Sequence, residues 1–499
     1  MTLLDLLNKA PGKNTAVTLP ENGTHITYDL LRQQVTAAAN VFASAGIGPG
    51  DRVAMALPNG LEAIVSFLAA SAAGTAAPLN LAYRHDEFAF FLGDTDAKLL
   101  VLPPEGGEEA RRAAAEKNIP ILAAEADAAG AVHFNPASKG RTAQPPQPDD
   151  VALILHTSGT TGQPKRVPLK HRNLAVSAEN IAKTYNLGPD DAALTVMPLF
   201  HVHGLMASVL GTLLTGGAIV VPEKFNPLSF WRTVREYRTT WYSAVPTMHR
   251  LLLARAGDQR PAGAEHLRFI RSASAPLSLH TMQRLEHMFG APVLEAYGMT
   301  EASHQIASNP LPPGGRKAGS VGLGTGVQIS IMDTHGHHHH LGTGHAGEVV
   351  IKGPSVIDAY ENNPEANATS FVEGWFRTGD QGIVDPDGYL RLLARLKELI
   401  NRGGEKIAPR EIGEVLLKHP AVAEAVCFGV PHPTWGEEVA AAVVLRQAVD
   451  VPELLSFCRE HLADFKCPKK IHIVDAIPRT ATGKIQRRVV AAAFSEDKK

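Results

Sequence analysis

The sequence predicts an α/β protein with a large N-terminal domain and a small α+β C-terminal domain. Short apolar strands such as residues 52–58 alternate with helical patterns, which is typical of layered α/β subdomains whose parallel sheets are covered by helices. Later in the chain, short strands such as residues 347–353 are separated by Gly, Pro and Asp turns, which predicts a short-stranded β subdomain. The final segment reads as compact α+β. We therefore expect domains at 1–395 and 396–499.

Composition and charge exclude several classes of protein. The 499 residues are 44% apolar and 20% charged, so a large core is possible, and neither disorder nor a coiled coil describes the chain. The net charge of −2 shows no basic excess that would indicate nucleic acid or an anionic membrane. Three cysteines without a CxxC spacing, Cys427, Cys458 and Cys467, predict reduced thiols, and neither chain end reads as a targeting signal. We expect a cytoplasmic monomer or homodimer.

Two long uncharged runs, residues 63–83 and 201–222, are long enough to span a bilayer. The first is rich in small residues and contains Pro78, and the second contains two histidines and a Gly-Gly break. Each is better explained as a buried helix, a turn of small residues and a buried strand. Because the two runs resemble each other, they predict two related α/β layers within one large domain.

The first candidate for chemistry is the sequence TSGTTGQPK at residues 157–165, directly after an apolar strand. Glycines let the backbone approach a ligand closely, and hydroxyls with free N–H groups form an anion-binding concavity, to which a lysine adds charge. The spacing is not that of a Walker A loop, and a polar surface loop is the alternative. We predict phosphate binding by Thr157, Ser158, Gly159, Thr160, Thr161, Gly162 and Lys165.

Three further sequences, EAYGMTE, WFRTGD and PRTATGK, contain residue types that suit a nucleotide. Tyr297 offers a stacking face, Thr300 a hydroxyl, and Glu301 a carboxylate that could hold Mg²⁺ together with phosphate oxygens. Asp380, after a tight turn, could accept both hydroxyls of a ribose, or could simply form the turn. Lys484 could reach an anion as a point charge, although a solvated lysine is the ordinary interpretation.

Histidines form two other features. His201 and His203 would share a face on a strand, but without a nearby Cys, Asp or Glu they make a weak metal site. We expect one of them to be packed in the interior and the other to line a pocket. The four-histidine run 337–340 is interpreted as an exposed turn rather than a physiological metal site. The match of residues 342–347 to G-x-G-x-x-G fails as a dinucleotide motif, because it precedes a strand.

In this order, TSGTTGQPK, YGMTE, WFRTGD, RLKELI and PRTATGK resemble the adenylate-forming superfamily of acyl-CoA synthetases, coumarate ligases, luciferase and peptide-synthetase adenylation domains. The resemblance covers nearly the whole chain. It implies that a carboxylate attacks the α-phosphate of ATP to give acyl-AMP and pyrophosphate, after which a thiol displaces AMP. No carrier-like segment follows Lys484, so coenzyme A fits better than a tethered thiol.

The resemblance also implies roles for single residues. The adenine wall would comprise Ser274, Ala275, Pro276, Glu295, Ala296 and Tyr297. Thr300 would contact the phosphates, Glu301 would hold Mg²⁺, and Asp380 and Arg395 would hold the ribose. Lys484 would bridge the substrate carboxylate and the α-phosphate and act electrostatically, and His201 would lie between the acyl pocket and the thiol channel.

The C-terminal domain is expected to be mobile, because Lys397 matches the hinge of the family. One face of that domain would present Lys484 for adenylation. The other face would present Gly403, Gly404 and Lys406 to the pantetheine arm of coenzyme A. The implied cofactors are ATP, Mg²⁺ and, as a co-substrate, coenzyme A.

The identity of the carboxylic acid substrate is the most specific prediction. Residues 302–322 and 401–412 are similar to the oxalyl-CoA synthetase branch of plants and fungi. Oxalate has a second carboxylate that needs donors or positive charge when it is buried, and His304, His201 and Ser274 could supply them. Oxalate is favoured, with malonate behind it; the alternative for His304 is a partly exposed residue that never meets substrate. A fatty or aryl acid, an inactive nucleotide-binding scaffold and a phosphotransferase stay open as other functions.

Overall fold

The computed structural model describes most of the chain. The described ranges are 1–136, 140–157, 164–334, 338–480 and 485–495.

Internal contacts divide the chain into two compact units. The first consists of Met1–Gln328 and Lys352–Gly374, and the second of Ile329–Ile351 and Trp375–Lys499. The predicted fold class is confirmed, because the first unit is layered α/β and the second, smaller unit combines antiparallel strands with an α+β segment. The domain boundary near 395–397 stays a prediction, since a division by packing does not report which segments rotate.

Strands and helices alternate along most of the first unit. Its strands up to residue 324 are β1 (Thr15–Leu19), β2 (Thr24–Thr27), β3 (Arg52–Met55), β4 (Thr75–Pro78), β5 (Ala97–Leu102), β6 (Ile121–Ala126), β7 (Val132–Asn135), β8 (Val151–Thr157), β9 (Lys165–Lys170), β10 (Ala192–Leu194), β11 (Ala218–Val220), β12 (Trp241–Ala244), β13 (Phe269–Ser272), β14 (Val293–Met299), β15 (His304–Ser308) and β16 (Leu323–Gly324). Its helices are α1 (Leu3–Asn8), α2 (Tyr28–Ser44), α3 (Leu61–Ala73), α4 (His85–Asp94), α5 (Glu108–Glu116), α6 (His171–Thr184), α7 (Gly211–Leu213), α8 (Phe230–Glu236), α9 (Pro246–Ala256), α10 (Leu279–Phe289) and α11 (Pro364–Ser370). A π-type helix, His203–Leu210, leads directly into α7.

These strands form two mixed sheets that are mainly parallel. One has the order β7-β6-β5-β3-β4-β8-β9, and the other has the order β16-β15-β14-β13-β12-β10-β11-β1-β2. In the second sheet, neighbouring strands from β10 to β14 pair in parallel. Because the carboxyl ends of parallel strands meet at one edge of a sheet, the segments that follow β10, β12, β13 and β14 lie side by side.

Both uncharged runs fold as the sequence predicts. In the first, α3 ends at Gly74 and β4 follows; in the second, the π-type helix and α7 lead through Gly216 and Gly217 to β11. Nearly every residue of α3 is buried, which explains why this helix has no polar face. The two runs contribute strands to different sheets, so two related layers are present. Within the described ranges, no helix combines the length and apolar character needed to cross a bilayer.

A turn before β3 recurs before β10 with the same hydrogen bonds. The Gly48 N–H donates to Oδ2 of Asp51 at 2.9 Å, and the Gly188 N–H donates to Oδ2 of Asp191 at 2.9 Å. The first residue of β4 donates its N–H to the Asp51 carbonyl, and the first residue of β11 does the same to the Asp191 carbonyl, each at 2.8 Å. Each aspartate therefore closes its own turn and fixes the start of the neighbouring strand.

The glycines before β4 and β11 lie against these same carbonyls. A Cβ at Gly74 would lie 2.5 Å from the Asp51 carbonyl oxygen, and a Cβ at Gly217 would lie 2.7 Å from that of Asp191. Neither position accepts a side chain without movement of the backbone. Glycine is thus required by the same close approach in both layers.

The strands and helices after residue 324 complete the chain. The strands are β17 (Gln328–Met332), β18 (His340–Leu341), β19 (Gly347–Lys352), β20 (Phe371–Val372, in the first unit), β21 (Trp375–Val384), β22 (Leu390–Arg395), β23 (Ile400–Arg402), β24 (Glu405–Ile407), β25 (Val422–His432), β26 (Gly436–Leu445) and β27 (Lys470–Ile473). The helices are α12 (Pro409–Leu416), α13 (Val451–His461) and α14 (Arg487–Ser495).

Two sheets form the second unit. In one, β18, β17, β19 and β21 are successive neighbours and β22 pairs with β21; the other has the order β24-β23-β26-β25, with β27 on β26. β19 is the strand that the sequence predicts at residues 347–353. Cys427, Cys458 and Cys467 are free thiols in the core around the second of these sheets.

Candidate active site

Four adjacent parallel strands of the first unit present polar side chains toward their carboxyl ends. β10 leads into the turn before His203, β12 contains Ser243, and β13 contains Arg271 and leads to Ser274. β14 leads to Glu301, in the short 3₁₀ turn Thr300–Ala302. The sheet thus gathers segments that are far apart in the sequence.

His203 contacts both Ser274 and His304. His203 is wholly buried, its Nδ1 lies 2.9 Å from Oγ of Ser274, and its ring stacks on His304 with 5.0 Å between the ring centroids. Ser274 and His304 have φ values of +70° and +95°, in a region that non-glycine residues adopt only when their surroundings compensate. His304 is 3% exposed, so the alternative of a partly exposed histidine is wrong; its contact with substrate stays a prediction.

His201 lies half-buried in the turn between β10 and the π-type helix. The expectation that His201 and His203 share a strand face is wrong, because the chain enters a helix at His203. Nδ1 of His201 accepts a hydrogen bond from the backbone N–H of His203 at 3.1 Å. One of the two histidines is packed in the interior, as expected, and it is His203. The predicted role of His201 beside the substrate is not tested by this placement.

A fully buried guanidinium lies behind these histidines. Arg271 donates to Oη of Tyr185 at 2.8 Å, to Oγ of Ser243 at 3.0 Å and to Oε1 of Gln305 at 3.0 Å. Oγ of Ser243 also lies 2.7 Å from Nε2 of His203. Sequence reasoning did not select Arg271 or Ser243. The available signal was a single arginine in β13, a short strand whose other residues are uncharged.

The two parts of the predicted adenine wall are joined by a hydrogen bond. Glu295, Ala296 and Tyr297 are buried on β14. Oε1 of Glu295 accepts from the backbone N–H of Leu277 at 3.3 Å, directly after the 274–276 segment. This bond holds the loop after β13 against β14, which is the arrangement that a wall made from both segments requires.

The residues predicted to hold the phosphates and Mg²⁺ meet at Tyr360. The Tyr360 hydroxyl donates to Oε1 of Glu301 at 2.7 Å, and the Lys165 ammonium lies 4.4 Å from the centroid of the Tyr360 ring. Thr157 and Lys165 face each other where β8 and β9 pair. Thr300 is buried beside Glu301. One side chain that the sequence did not indicate, Tyr360, therefore links the predicted metal ligand to the lysine that ends the predicted phosphate-binding sequence.

The environment of Glu301 fits a magnesium ion that binds together with a nucleotide. Its Oε1 is occupied by the Tyr360 hydroxyl, and its Oε2 has no partner in the part of the chain that the structure describes. Mg²⁺ is usually held by one or two carboxylates together with phosphate oxygens. The described residues contain no group of three or more His, Cys, Asp or Glu side chains that could hold a metal by themselves.

In the second unit, Asp380 and Arg395 form an ion pair. They are directly opposite on β21 and β22, and Nε of Arg395 lies 2.8 Å from Oδ1 of Asp380. The Asp380 side chain is buried, whereas the Arg395 side chain is 43% exposed. Both residues predicted to hold the ribose are thus adjacent. Lys397, the predicted hinge residue, lies exposed in the 3₁₀ turn Leu396–Glu398.

The predicted coenzyme A segment is the turn between β23 and β24. Gly403 and Gly404 have φ values of +59° and +98°, and Lys406 is exposed on β24. A Cβ at Gly403 would lie 2.8 Å from the Trp435 ring, which also lies 5.1 Å from the Arg402 guanidinium. Glycine at 403 is therefore required both by the positive φ and by the close approach of Trp435.

Several predicted site residues lie outside the described residues. They are Ser158, Gly159, Thr160, Thr161, Gly162 and Lys484. His337 of the histidine run is also outside, while His339 and His340 are exposed. His340 bonds Oγ of Ser330 through Nδ1 at 2.7 Å and packs edge-on to Trp375.

Comparisons with known proteins agree in sequence and in fold. Residues 6–361 match the family described as AMP-binding enzyme, and residues 411–484 match the AMP-binding enzyme C-terminal domain. A probable CoA ligase of Humulus lupulus is 47% identical, with 99% of this chain and 97% of the relative covered. The oxalate–CoA ligase of Arabidopsis thaliana is 47% identical, with 95% and 94% covered. The ATP-bound structure of MatB from Rhodopseudomonas palustris has a TM-score of 0.92 at 32% identity, with 100% of both chains covered.

Proposed function

Because the chain belongs to the AMP-binding enzyme family, we propose that it activates oxalate with ATP and transfers the oxalyl group to coenzyme A. It is an acid–thiol ligase, an acyl-CoA synthetase, because named CoA ligases are similar to it over nearly its whole length. The Arabidopsis relative is named an oxalate–CoA ligase, and this supports oxalate as the acid. ATP, Mg²⁺ and coenzyme A are the cofactor and co-substrates that this reaction needs.

The observation that carries the choice of acid is the polar cluster of His203, Ser274 and His304. A pocket for a fatty or aryl tail would need apolar side chains at these positions. A small dicarboxylate instead needs hydrogen-bond donors for its second, non-reacting carboxylate once that group is buried. The Ser274 hydroxyl, to which His203 is bonded, and the His304 imidazole are our candidates for such donors. The same arrangement disfavours a long apolar acid.

The reaction has two steps. First, a carboxylate oxygen of oxalate attacks the α-phosphorus of ATP, and the bond to the departing pyrophosphate breaks. Then the thiolate sulfur of coenzyme A attacks the carbonyl carbon of oxalyl-AMP, and AMP leaves. Because negative charge gathers on the phosphorus oxygens in the first step, positive groups placed there contribute most of the catalysis. Lys484 is our candidate for that charge.

The remaining roles are those that the resemblance of the motifs implies. Residues 157–165 hold the β- and γ-phosphates, and Thr300 contacts them from the end of β14. Glu301 holds Mg²⁺, which neutralises phosphate charge when it is bound. Asp380, held by Arg395, accepts the ribose hydroxyls. Gly403, Gly404 and Lys406 guide the pantetheine arm in the second step.

A panel of carboxylates tests the proposal. The protein is incubated with ATP, Mg²⁺ and coenzyme A and with oxalate, malonate, acetate, octanoate or coumarate, and AMP, ADP and pyrophosphate are followed. We expect AMP and pyrophosphate to appear mainly with oxalate. Faster AMP formation with octanoate or coumarate than with oxalate would overturn the proposal that oxalate is the substrate. Absence of pyrophosphate with every acid would favour a nucleotide-binding scaffold, and ADP in place of AMP would indicate a phosphotransferase.

A further inference from the structure

Arg271 places a positive charge in the interior of the protein. Its side chain has 0% exposure, and its bonds go to uncharged oxygens of Tyr185, Ser243 and Gln305. In the described ranges, no carboxylate forms an ion pair with it. Hydrogen bonds to neutral oxygens compensate a buried charge only in part, so a guanidinium without a carboxylate partner suits a site that receives an anion. By contrast, the nearby Arg268 is paired with Asp191.

The hydrogen bonds from Arg271 have a fixed direction. A guanidinium only donates, so Nη1 of Arg271 donates to Oγ of Ser243. The Ser243 hydroxyl then donates to Nε2 of His203, 2.7 Å away, and Nη1 of Arg271 also faces this Nε2 at 3.4 Å. Because Nε2 accepts, the ring proton of neutral His203 is on Nδ1, which donates to Oγ of Ser274.

The chain of donors ends at the Ser274 hydroxyl. Its oxygen already accepts from His203, so its own hydrogen is available to donate to a further acceptor. In the described structure, Ser274 has no second hydrogen-bond partner. A carboxylate, which only accepts, is the chemical complement of this position.

We propose that Arg271 is a positioning residue that makes the acid site selective for a dianion. This inference rests on the proposed function. Arg271, Ser243, His203 and Ser274 form a chain of hydrogen bonds that we call the relay. Through the relay, Arg271 fixes the tautomer of His203 and orients the Ser274 hydroxyl toward the non-reacting carboxylate. Its positive charge compensates the charge of that carboxylate. It does not touch the reacting atoms. The relay favours a substrate with a second negative charge over a neutral analogue of the same size.

Oxalate and oxamate are a suitable pair of probes, since they are nearly the same size and oxamate replaces the distal carboxylate with a neutral amide. The kcat/KM for each, and the KM for ATP, are measured for the wild type and for Arg271→Met. We expect the KM for oxalate to rise at least about tenfold and the preference for oxalate over oxamate to fall by a similar factor, with the KM for ATP changed less than about twofold.

Arg268→Met is the matched control, because it removes a nearby arginine that already has a carboxylate partner. Its preference for oxalate should equal that of the wild type. If Arg271→Met does not fold, Ser243→Ala decides the question, since it keeps the charge and removes the link to His203. A reduced preference in that variant supports the relay.

The outcomes separate the two proposals. If the wild type forms AMP with no dianionic acid, both proposals are overturned: oxalate as the substrate and Arg271 as a positioning residue. A wild type that prefers oxalate, together with a folded Arg271→Met that keeps the same preference, overturns the relay alone. An unchanged preference in Ser243→Ala has the same meaning where Arg271→Met does not fold.

Discussion

Tyr360 shows how one side chain can connect two functional groups. Its ring lies under the Lys165 ammonium, and its hydroxyl donates to Glu301. The hydroxyl occupies one carboxylate oxygen and thereby orients the other. If Glu301 holds the metal of MgATP, the geometry of that ligand depends on the Tyr360 hydroxyl as well as on the carboxylate itself.

Tyr360→Phe should therefore weaken the use of magnesium. The variant keeps the ring under Lys165 and loses only the hydrogen bond, so we expect the Mg²⁺ concentration for half-maximal rate to rise about tenfold. The measurement is AMP formation against Mg²⁺ at saturating oxalate. Tyr360→Leu, which also removes the ring, should in addition raise the KM for ATP. An unchanged magnesium dependence in the Phe variant would contradict the assignment of Glu301.

His171 makes stability depend on pH. Its Nε2–H donates to the Ser71 carbonyl at 2.9 Å, and its Nδ1 accepts from the Leu3 N–H at 3.2 Å. Burial lowers the pKa of His171 to about 4 from the ordinary value of 6.5. Between these values the unfolded chain binds a proton that the folded chain does not. The free energy of unfolding therefore falls as pH drops from about 6.5 toward 4, by at most about 3 kcal/mol from this group.

Urea denaturation at pH 7, 6 and 5 measures this effect. His171→Gln has no titrating ring, so its free energy of unfolding should fall less steeply over the same range. Part of the slope should persist, because burial also lowers the pKa of His249, to about 3. Identical slopes in the variant and the wild type would show that His171 contributes nothing to acid sensitivity.

Single residues could be predicted only where their chemistry was visible in a motif. Thr300, Glu301 and Asp380 stand out in short polar sequences. Arg271 does not, because its role depends on hydroxyl and amide groups from three other segments. A role beside the substrate was predicted for His201 and not for His203, because the sequence does not show that a helix begins at His203.

At the scale of elements, the turn before β10 allows two glycines that contact Asp191 to be compared, Gly188 and Gly217. A Cβ at Gly217 would meet the Asp191 carbonyl, whereas a Cβ at Gly188 would meet nothing within 4 Å. Gly217→Ala should lower the free energy of unfolding by about 1–3 kcal/mol through this overlap. Gly188→Ala, the control, should change it by less than about 0.5 kcal/mol.

Equilibrium urea denaturation of both variants provides the measurement. Gly74→Ala, in the corresponding position of the other layer, should lose a similar amount, because its Cβ would lie 2.5 Å from the Asp51 carbonyl oxygen. Equal stabilities for Gly217→Ala and Gly188→Ala would contradict the close approach. These elements were predictable because buried helices and strands leave long apolar runs, and because glycines mark where those runs turn.

At the scale of the whole molecule, the proposed mechanism assigns two half-reactions to different parts of the C-terminal domain. Lys484→Ala should slow the formation of acyl-AMP at least about a hundredfold, because it removes charge compensation at the phosphate. The conversion of supplied acyl-AMP and coenzyme A to acyl-CoA should largely survive. Lys406→Ala should slow the second step more than the first.

The two half-reactions are measured separately, by pyrophosphate release without coenzyme A and by thioester formation from supplied acyl-AMP. An equal loss of both half-reaction rates in Lys484→Ala would contradict the assignment of Lys484 to acyl-AMP formation alone. The sequence could suggest this division only through the resemblance of its motifs to a family. Neither the spacing nor the periodicity of the residues predicts that a domain rotates. The packing within a single conformation does not show it either, because it groups the strands between residues 375 and 395 with the C-terminal segment.

The repeated turn also bears on how this chain came to be. Two layers that close with the same glycine and aspartate bonds are the expected product of a tandem gene duplication, in which one ancestral layer was copied and each copy then diverged. The two sheets differ in the residues they carry: β8 runs into the hydroxyl-rich sequence TSGTTG, whereas the other sheet brings together imidazoles and a buried arginine. Under the proposed function, changes confined to the second layer would alter which acid is activated and would leave residues 157–165 of the first layer untouched.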